Sequence, residues 1–174
     1  MCSRGIYEAF DPESGRRFVV DDGTAASLAV ASALPPAGRD GRRLAPDGRT
    51  LLDYGAGKGT LALAMPDVPV RNYDPVTFPD DPDPADFVAC LDVLEHIEPE
   101  CLKAVLWHLR SKVLKAGFLT IATRPAKKIL PDGRNAHLII KPAEWWLLRF
   151  RKRFALVEVL PVSSDDELSI YVET

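Results

Sequence analysis

The chain has 174 residues, 47% hydrophobic and 27% charged, with a formal net charge of −3. That length supports one domain around one core, and the composition excludes a collagen, a disulfide scaffold and a fully disordered chain. Its longest apolar runs, such as Phe87 to Leu91, are too short to span a bilayer, and three cysteines (Cys2, Cys90, Cys101) make no framework, so the expectation is a cytoplasmic protein with free thiols, no secretory leader and no membrane contact.

Residues 1–23 are polar and aperiodic, with turn signals at Asp11-Pro12 and Asp22-Gly23. Thr24 to Leu34 is rich in Ala and Leu and predicts a helix, stopped by Pro35-Pro36. Gly38 to Gly48 is a loop. Thr50 to Asp53 predicts a short strand, Gly55 to Gly59 a glycine loop, and Thr60 to Met65 a short helix ended by Pro66. Val68 to Tyr73 is a second strand, closed by Asp74-Pro75. Phe78 to Pro84 has three prolines and no periodicity and predicts a loop. Asp86 to Leu91 is nearly continuous apolar sequence, as a buried parallel strand requires. Glu98 to Lys115 predicts a helix, with Leu102, Val105, Leu106, Leu109 and Val113 at helical spacing and Pro99 in its first turn. Gly117 to Ala122 is another buried strand, Arg124 to Ile140 a basic loop, and Pro142 to Phe154 a helix carrying Trp145 and Trp146. Ala155 to Leu160 and Leu168 to Val172 alternate like an antiparallel pair joined at Ser163 to Asp166. Strands alternating with helices indicate an α/β sheet with mostly parallel strands.

Charge is distributed unevenly. Asp47 to Glu100 holds twelve acids against three basic residues, and Cys101 to Arg153 holds thirteen Lys and Arg against two acids. An excess of that sign raises the capture rate of anionic ligands, so a small phosphate-bearing substrate is expected, with nucleic acid as a further candidate.

Leu52-Asp53-Tyr54-Gly55-Ala56-Gly57-Lys58-Gly59 runs from strand through glycines into helix. Glycines there permit a tight turn and close approach of a ligand. Lys58 is followed by Gly59, not Ser or Thr, so this is not a phosphate-binding P-loop. An acid two positions before the first glycine suits a cationic amine or hydroxyls rather than a pyrophosphate. About twenty residues later a strand ends in Asp74, placed to accept hydrogen bonds from ribose hydroxyls. The combination describes a nucleoside cofactor bearing an amino acid.

Through LDYGAGKG, NYDP and ACLDVLEHIEPE, in that order, the chain resembles the class I S-adenosylmethionine-dependent methyltransferases. The resemblance spans residues 50–172. It implies a Rossmann-like sheet, mostly parallel with a C-terminal antiparallel hairpin, in residues 49–174, preceded by a helix-bearing N-terminal extension, residues 1–48. It also implies S-adenosylmethionine as cofactor, with Gly55, Gly57 and Gly59 lining its methionine and ribose, Asp53 near its amino group and Asp74 on its ribose. In one respect the chain departs from the family. Only residues 75–85 separate Asp74 from the next strand, so the fold is trimmed around the third strand, and the Asp80 to Asp86 loop is expected to replace the usual adenine contacts.

Asp92, Glu95 and His96 stand at i, i+3 and i+4, which places all three on one face of a helical turn at the carboxyl end of a strand. With His137 from the basic loop they are candidate ligands for Mg²⁺, Mn²⁺ or Zn²⁺. The set resembles the metal site of small-RNA 3′-end 2′-O-methyltransferases. Asp-Val-Leu-Glu-His also occurs in ubiquinone-pathway O-methyltransferases, and many methyltransferases carry it without metal, Asp92 and His96 then lining the cofactor pocket. Without metal, His96 or His137 is the candidate general base. Arg124, Lys127 and Arg134 are candidate clamps for an anionic acceptor, and Asn135 either binds it or orients His137. The expected activity is methyl transfer to an oxygen of a small anionic acceptor. The alternatives are metal-dependent 2′-O-methylation of RNA and a cofactor-binding scaffold without transfer.

Overall fold

The computed structural model describes the backbone of residues 7–10 and 17–20, and residues 50–66, 68–161 and 166–174 in full. The expected helix Thr24 to Leu34, the loop Gly38 to Gly48 and the turn residues Ser163 to Asp165 lie outside the described residues. The N-terminal stretch expected to be aperiodic instead contains a two-stranded antiparallel ribbon. In it β1 (Tyr7–Phe10) pairs with β2 (Arg17–Val20), with Tyr7 opposite Val20.

Alternating apolar periodicity builds one six-stranded sheet from the rest of the chain. Its elements are β3 (Leu51–Tyr54), α1 (Thr60–Ala64), β4 (Val70–Tyr73), β5 (Ala85–Leu91), a 3₁₀ turn (Leu94–His96), α2 (Leu102–Lys112), β6 (Val113–Ala122), α3 (Ala143–Phe150), β7 (Leu156–Leu160) and β8 (Glu167–Glu173). The strand order is β4-β3-β5-β6-β8-β7. The first four run parallel, and β8 runs antiparallel to both β6 and β7. This is the expected Rossmann-like sheet with its closing hairpin.

The two faces of the sheet bury different residues, as the period of two requires. Leu52, Tyr54, Val88, Cys90, Leu119 and Ile121 face α2 and α3, where Leu106, Leu109, Trp146 and Phe150 complete the larger core. Leu51, Phe87, Ala89 and Phe118 face the other way and meet Leu61 of α1. Helix α2 is shorter than expected at both ends: it starts at Leu102 and stops at Lys112, and Val113, expected on its stripe, opens β6 instead. Residues 99–101 form a separate turn, closed by the Cys101 N–H donating to the Glu98 carbonyl. Between β4 and β5 the only pairing is a bridge between Asp74 and Phe78, and no helix or further strand intervenes. Arg71 holds this connection by donating to the Asp83 and Pro84 carbonyls. Among the described residues no helix is long and apolar enough to cross a membrane.

Candidate cofactor cleft and acceptor edge

After β3 the chain adds β4 on one side, then returns to add β5 on the other. Such a switch point leaves a crevice beyond the carboxyl ends of the strands. Here it is a cleft of about 530 Å³, walled by Tyr54, Gly55, Tyr73, Asp74, Asp92, Val93, His96, Val105 and His108, among others.

The glycine loop forms its near wall. Gly55 has φ +84, and a Cβ there would stand 2.3 Å from Val93 Cγ2, so the turn after β3 closes directly on the turn after β5. The N–H groups of Gly55 and Ala56 both donate to the Tyr73 carbonyl, which ties the loop to β4. Gly57 donates to Asp74 Oδ2 at 3.3 Å, while Val76 and Thr77 donate their N–H groups to Oδ1 at 2.9 and 3.1 Å. Burial of Asp74 opposes its ionisation, but these backbone donors outweigh it and hold the carboxyl below the usual range. Asp74 thus stands on the cleft wall as a carboxylate. Asp53 is 4% exposed, behind the glycine turn, and is not part of that wall. Burial, with the Asp74 charge adding, pushes its carboxyl up to about 6.

Three rings close the far end. Tyr54, Tyr73 and His108 have centroids 5.1 to 5.6 Å apart. Asp81 accepts from His108 Nε2 at 2.7 Å, which leaves Nδ1 to accept the Tyr54 hydroxyl proton at 2.7 Å. Lys112 Nζ is 2.8 Å from the same Asp81 oxygen. The loop expected to replace the adenine contacts does not line the cleft. Its Asp81 instead reaches α2 and fixes the His108 ring, and its Asp86 pairs with Lys115 at 2.7 Å.

The Asp92–His96 segment departs from the single helical face. Asp92 has φ +53, outside helical geometry, and only residues 94–96 turn, as a 3₁₀ helix. The left-handed residue swings Asp92 to β6, where the Thr120 hydroxyl donates to Oδ1 at 2.9 Å. Asp92 therefore stays in the cleft wall and out of the donor cluster. Glu95, His96 and His137 do converge, with one donor atom of each within 4.8 Å of the others. Glu95 is fully buried. Its Oε1 accepts the Ala122 N–H at 2.9 Å and its Oε2 has no partner. Burial, with Asp92 and Glu167 nearby, pushes it up to about 7 against the Ala122 hydrogen bond. His96 Nδ1 donates to the Ala136 carbonyl at 2.8 Å and His137 Nδ1 to the Arg124 carbonyl at 2.6 Å. A carbonyl partner requires a proton on Nδ1 of each ring, so in the neutral tautomer the lone pair stands on Nε2. The rings meet edge to face at 4.9 Å.

A sequence profile described as Methyltransferase domain matches residues 29–166. The chain belongs to the methyltransferase-domain family. Solved structures repeat its fold. A SAM-dependent methyltransferase from Archaeoglobus fulgidus superposes with a TM-score of 0.55 at 14% identity, covering 88% of this chain and 95% of that one. An O-methyltransferase family protein from Burkholderia thailandensis gives 0.52 at 16% identity, covering 72% of this chain and 50% of that one, so this chain spans half of that relative's length. The magnesium protoporphyrin IX methyltransferase of Synechocystis, solved with bound S-adenosylhomocysteine, gives 0.50 at 15% identity, covering 86% and 80%. No curated protein matches the chain.

Within this methyltransferase domain the expected acceptor residues divide. Arg134 is bound bidentately by Glu98 at 2.8 and 2.9 Å and by Asp132 at 2.7 Å. Those two carboxylates raise the pKa of the guanidinium further and make it a strut, not an open clamp. Asn135 spends its amide on the loop: Oδ1 accepts from Ala126 and His137 N–H, and Nδ2 donates to the Ala126 carbonyl. Of its two expected roles, it takes the orienting one. Arg124 and Lys127 are exposed and make no ion pair among the described residues. Tyr54, Tyr73 and His108 escape the sequence reading. The first two are partners in the parallel register of β3 with β4, and the missing third-strand unit leaves that face of the sheet open to the cleft.

Proposed function

We propose that the protein is an S-adenosylmethionine-dependent methyltransferase acting on an oxygen of a small anionic acceptor, in the class of nucleotides, sugar nucleotides and modified bases. The bound cofactor supplies an electrophilic methyl group on a sulfonium, transferred by direct displacement. The cleft fits it: Gly55 and Val93 form a floor, Asp74 faces the ribose, and Tyr73, Val105 and His108 offer an apolar wall for the adenine. At the acceptor edge, Nε2 of His96 or His137 takes the hydroxyl proton, each ring held in that tautomer by a backbone carbonyl. This pair of oriented imidazoles beside the cleft is the observation that carries the reading, because a scaffold has no use for it.

Glu95, His96 and His137 also suit a divalent cation, because Glu95 Oε2 is buried without a partner and two imidazoles with one carboxylate form a transition-metal donor set. That set fits Zn²⁺ or Mn²⁺ better than Mg²⁺, which favours oxygen ligands. A cation there would lower the pKa of the acceptor hydroxyl. The donor set favours a 2′-hydroxyl of RNA as a second reading, so short RNA belongs in the acceptor panel.

The test is calorimetric titration with S-adenosylhomocysteine, then transfer of labelled methyl to nucleotides, sugar nucleotides and short RNA, with and without chelator. Wild type is expected to bind with micromolar affinity. His137→Ala is expected to keep that affinity and lose transfer by about 10²-fold. Absence of cofactor binding in the wild type would remove the reading. Unchanged transfer in His137→Ala would remove His137 from the mechanism.

A further inference from the structure

A second cavity, of about 410 Å³, lies on the opposite flank of α2 from the cofactor cleft. Ala104, Val105 and His108 face the cleft, whereas Leu102, Lys103 and Leu106 face this cavity. Its other walls are Leu138 to Lys141 and the α3 side chains Trp145 and Arg149, with Arg153 beyond. It starts at the residue after His137, and the Ile139 N–H donates to the Glu95 carbonyl at 2.9 Å. The cavity and the acceptor edge are therefore built on one strap of chain.

The lining combines two chemistries. Leu102, Leu106, Leu138 and Ile139 make an apolar floor. Around it stand Lys103, Lys141, Arg149 and Arg153, with no acid in the lining, and none of the four makes an ion pair among the described residues. The Arg149 guanidinium stacks 3.2 Å from the Trp145 ring centroid, and Lys141 Nζ lies 6.0 Å from it. Arg149 Nη1 donates to the Trp145 carbonyl at 2.8 Å and Arg153 Nη1 to the Arg149 carbonyl at 2.7 Å, which holds the two cations beside each other; burial and then the Arg153 charge lower the Arg149 pKa. Like charges held together in a part-buried cavity cost stability unless an anion joins them. An inorganic anion would leave the apolar floor wetted, and an uncharged apolar body would leave four cations uncompensated.

We infer that this cavity is a nucleotide site, with phosphate on Arg149 and Arg153 between Lys103 and Lys141, and the base against Leu102, Leu106, Leu138 and Ile139. Its volume lies in the range of small-molecule sites. Guanidiniums bind phosphate through paired N–H donors. Its role as the anchor that presents an acceptor hydroxyl to His137 rests on the methyltransferase reading; the site itself does not.

The test titrates the protein separately with AMP, GMP, CMP, UMP and inorganic phosphate, by calorimetry and by tryptophan fluorescence, which Trp145 reports. At least one nucleotide is expected to bind saturably below millimolar concentration, and inorganic phosphate about tenfold more weakly. Arg149→Gln with Arg153→Gln should weaken the nucleotide at least about tenfold. Lys103→Glu with Lys141→Glu, both on exposed side chains, should weaken it about fivefold without touching the core. S-adenosylhomocysteine affinity should be unchanged in both. Four nucleotides that fail to saturate, phosphate binding as tightly as they do, or affinity unmoved by either double variant would each overturn the site. Nucleotide binding without S-adenosylhomocysteine binding would leave the site standing and remove only the methyltransferase reading.

Discussion

At Gly55 the backbone turns left-handed, and the space a side chain would need is already taken by Val93. Both facts are costly to change. An alanine at φ +84 carries about 1 to 2 kcal/mol of strain, and its Cβ overpacks Val93 by about 1 to 3 kcal/mol more. Gly55→Ala should therefore lower unfolding stability by about 2 to 5 kcal/mol, and Val93→Ala in the same chain should recover the packing part but not the strain. Urea unfolding of the two single variants and the double checks this, and strict additivity would refute the contact. Asp53 offers a prediction of opposite sign. Its native carboxyl keeps a proton to about 6, whereas the unfolded chain loses it near 3.8. The native state thus binds the extra proton between those values, and stability from this group is present at low pH and lost as pH rises through 6. The shift amounts to about 3 kcal/mol. Asp53→Asn should gain on the wild type by up to that amount between pH 4 and 7. A gap that stays constant with pH would show that Asp53 is not desolvated. The left-handed glycine turn after β3 and the position of Asp74 at the end of β4 were legible in the sequence because strand, turn and spacing are local. The exclusion of Asp92 from the donor cluster was not, because its left-handed φ and its bond to Thr120 come from β6, 28 residues on.

At the scale of elements, the sheet was legible strand by strand, since each buried strand reads as a short apolar run between turn signals. The ends of α2 were not: Pro99 suits a first helical turn but stands in a separate turn at 99–101, and Val113 keeps the helical spacing but opens β6, because periodicity does not register where hydrogen bonding changes. The connection from β4 to β5 shows the same limit. Its brevity announced a missing unit, but the prolines and aspartates did not reveal that Asp81 reaches α2. That contact makes the loop a brace for the aromatic wall. Asp81→Ala should free His108 and Tyr54 while leaving the sheet intact, and should weaken S-adenosylhomocysteine binding by about 1 kcal/mol, roughly fivefold in Kd. Calorimetry reads this directly. An unchanged Kd with unchanged stability would mean that the adenine does not rest on His108.

Over the whole molecule, the lopsided charge of the sequence resolves into two parts. Some of it is internal: acids of the first half hold bases of the second through Asp81 with Lys112, Asp86 with Lys115 and Glu98 with Arg134. Of the basic residues without an ion pair among the described residues, Lys103, Lys141, Arg149 and Arg153 surround the second cavity, and Arg124 and Lys127 stand on the acceptor loop. The cofactor cleft has the opposite character, with Asp74 and Asp92 in its wall and no Lys or Arg. On the proposed reading, the cationic residues serve the approach of the acceptor, and the acidic cleft seats a cofactor that carries a sulfonium. Salt discriminates between the two. Screening shortens to about 10 Å at 0.1 M and weakens exposed charges most. Raising salt from 50 to 300 mM should raise KM for an anionic acceptor several-fold, with kcat held, because capture and not chemistry depends on the cationic side. The same change should raise, and not lower, the Kd of S-adenosylmethionine, by less, since its positive charge is attracted to the carboxylates of the cleft. S-adenosylhomocysteine lacks the sulfonium, so its Kd should respond least of the three. A salt response shared equally by all three ligands would mean that the separation of charge across the fold does not act on binding.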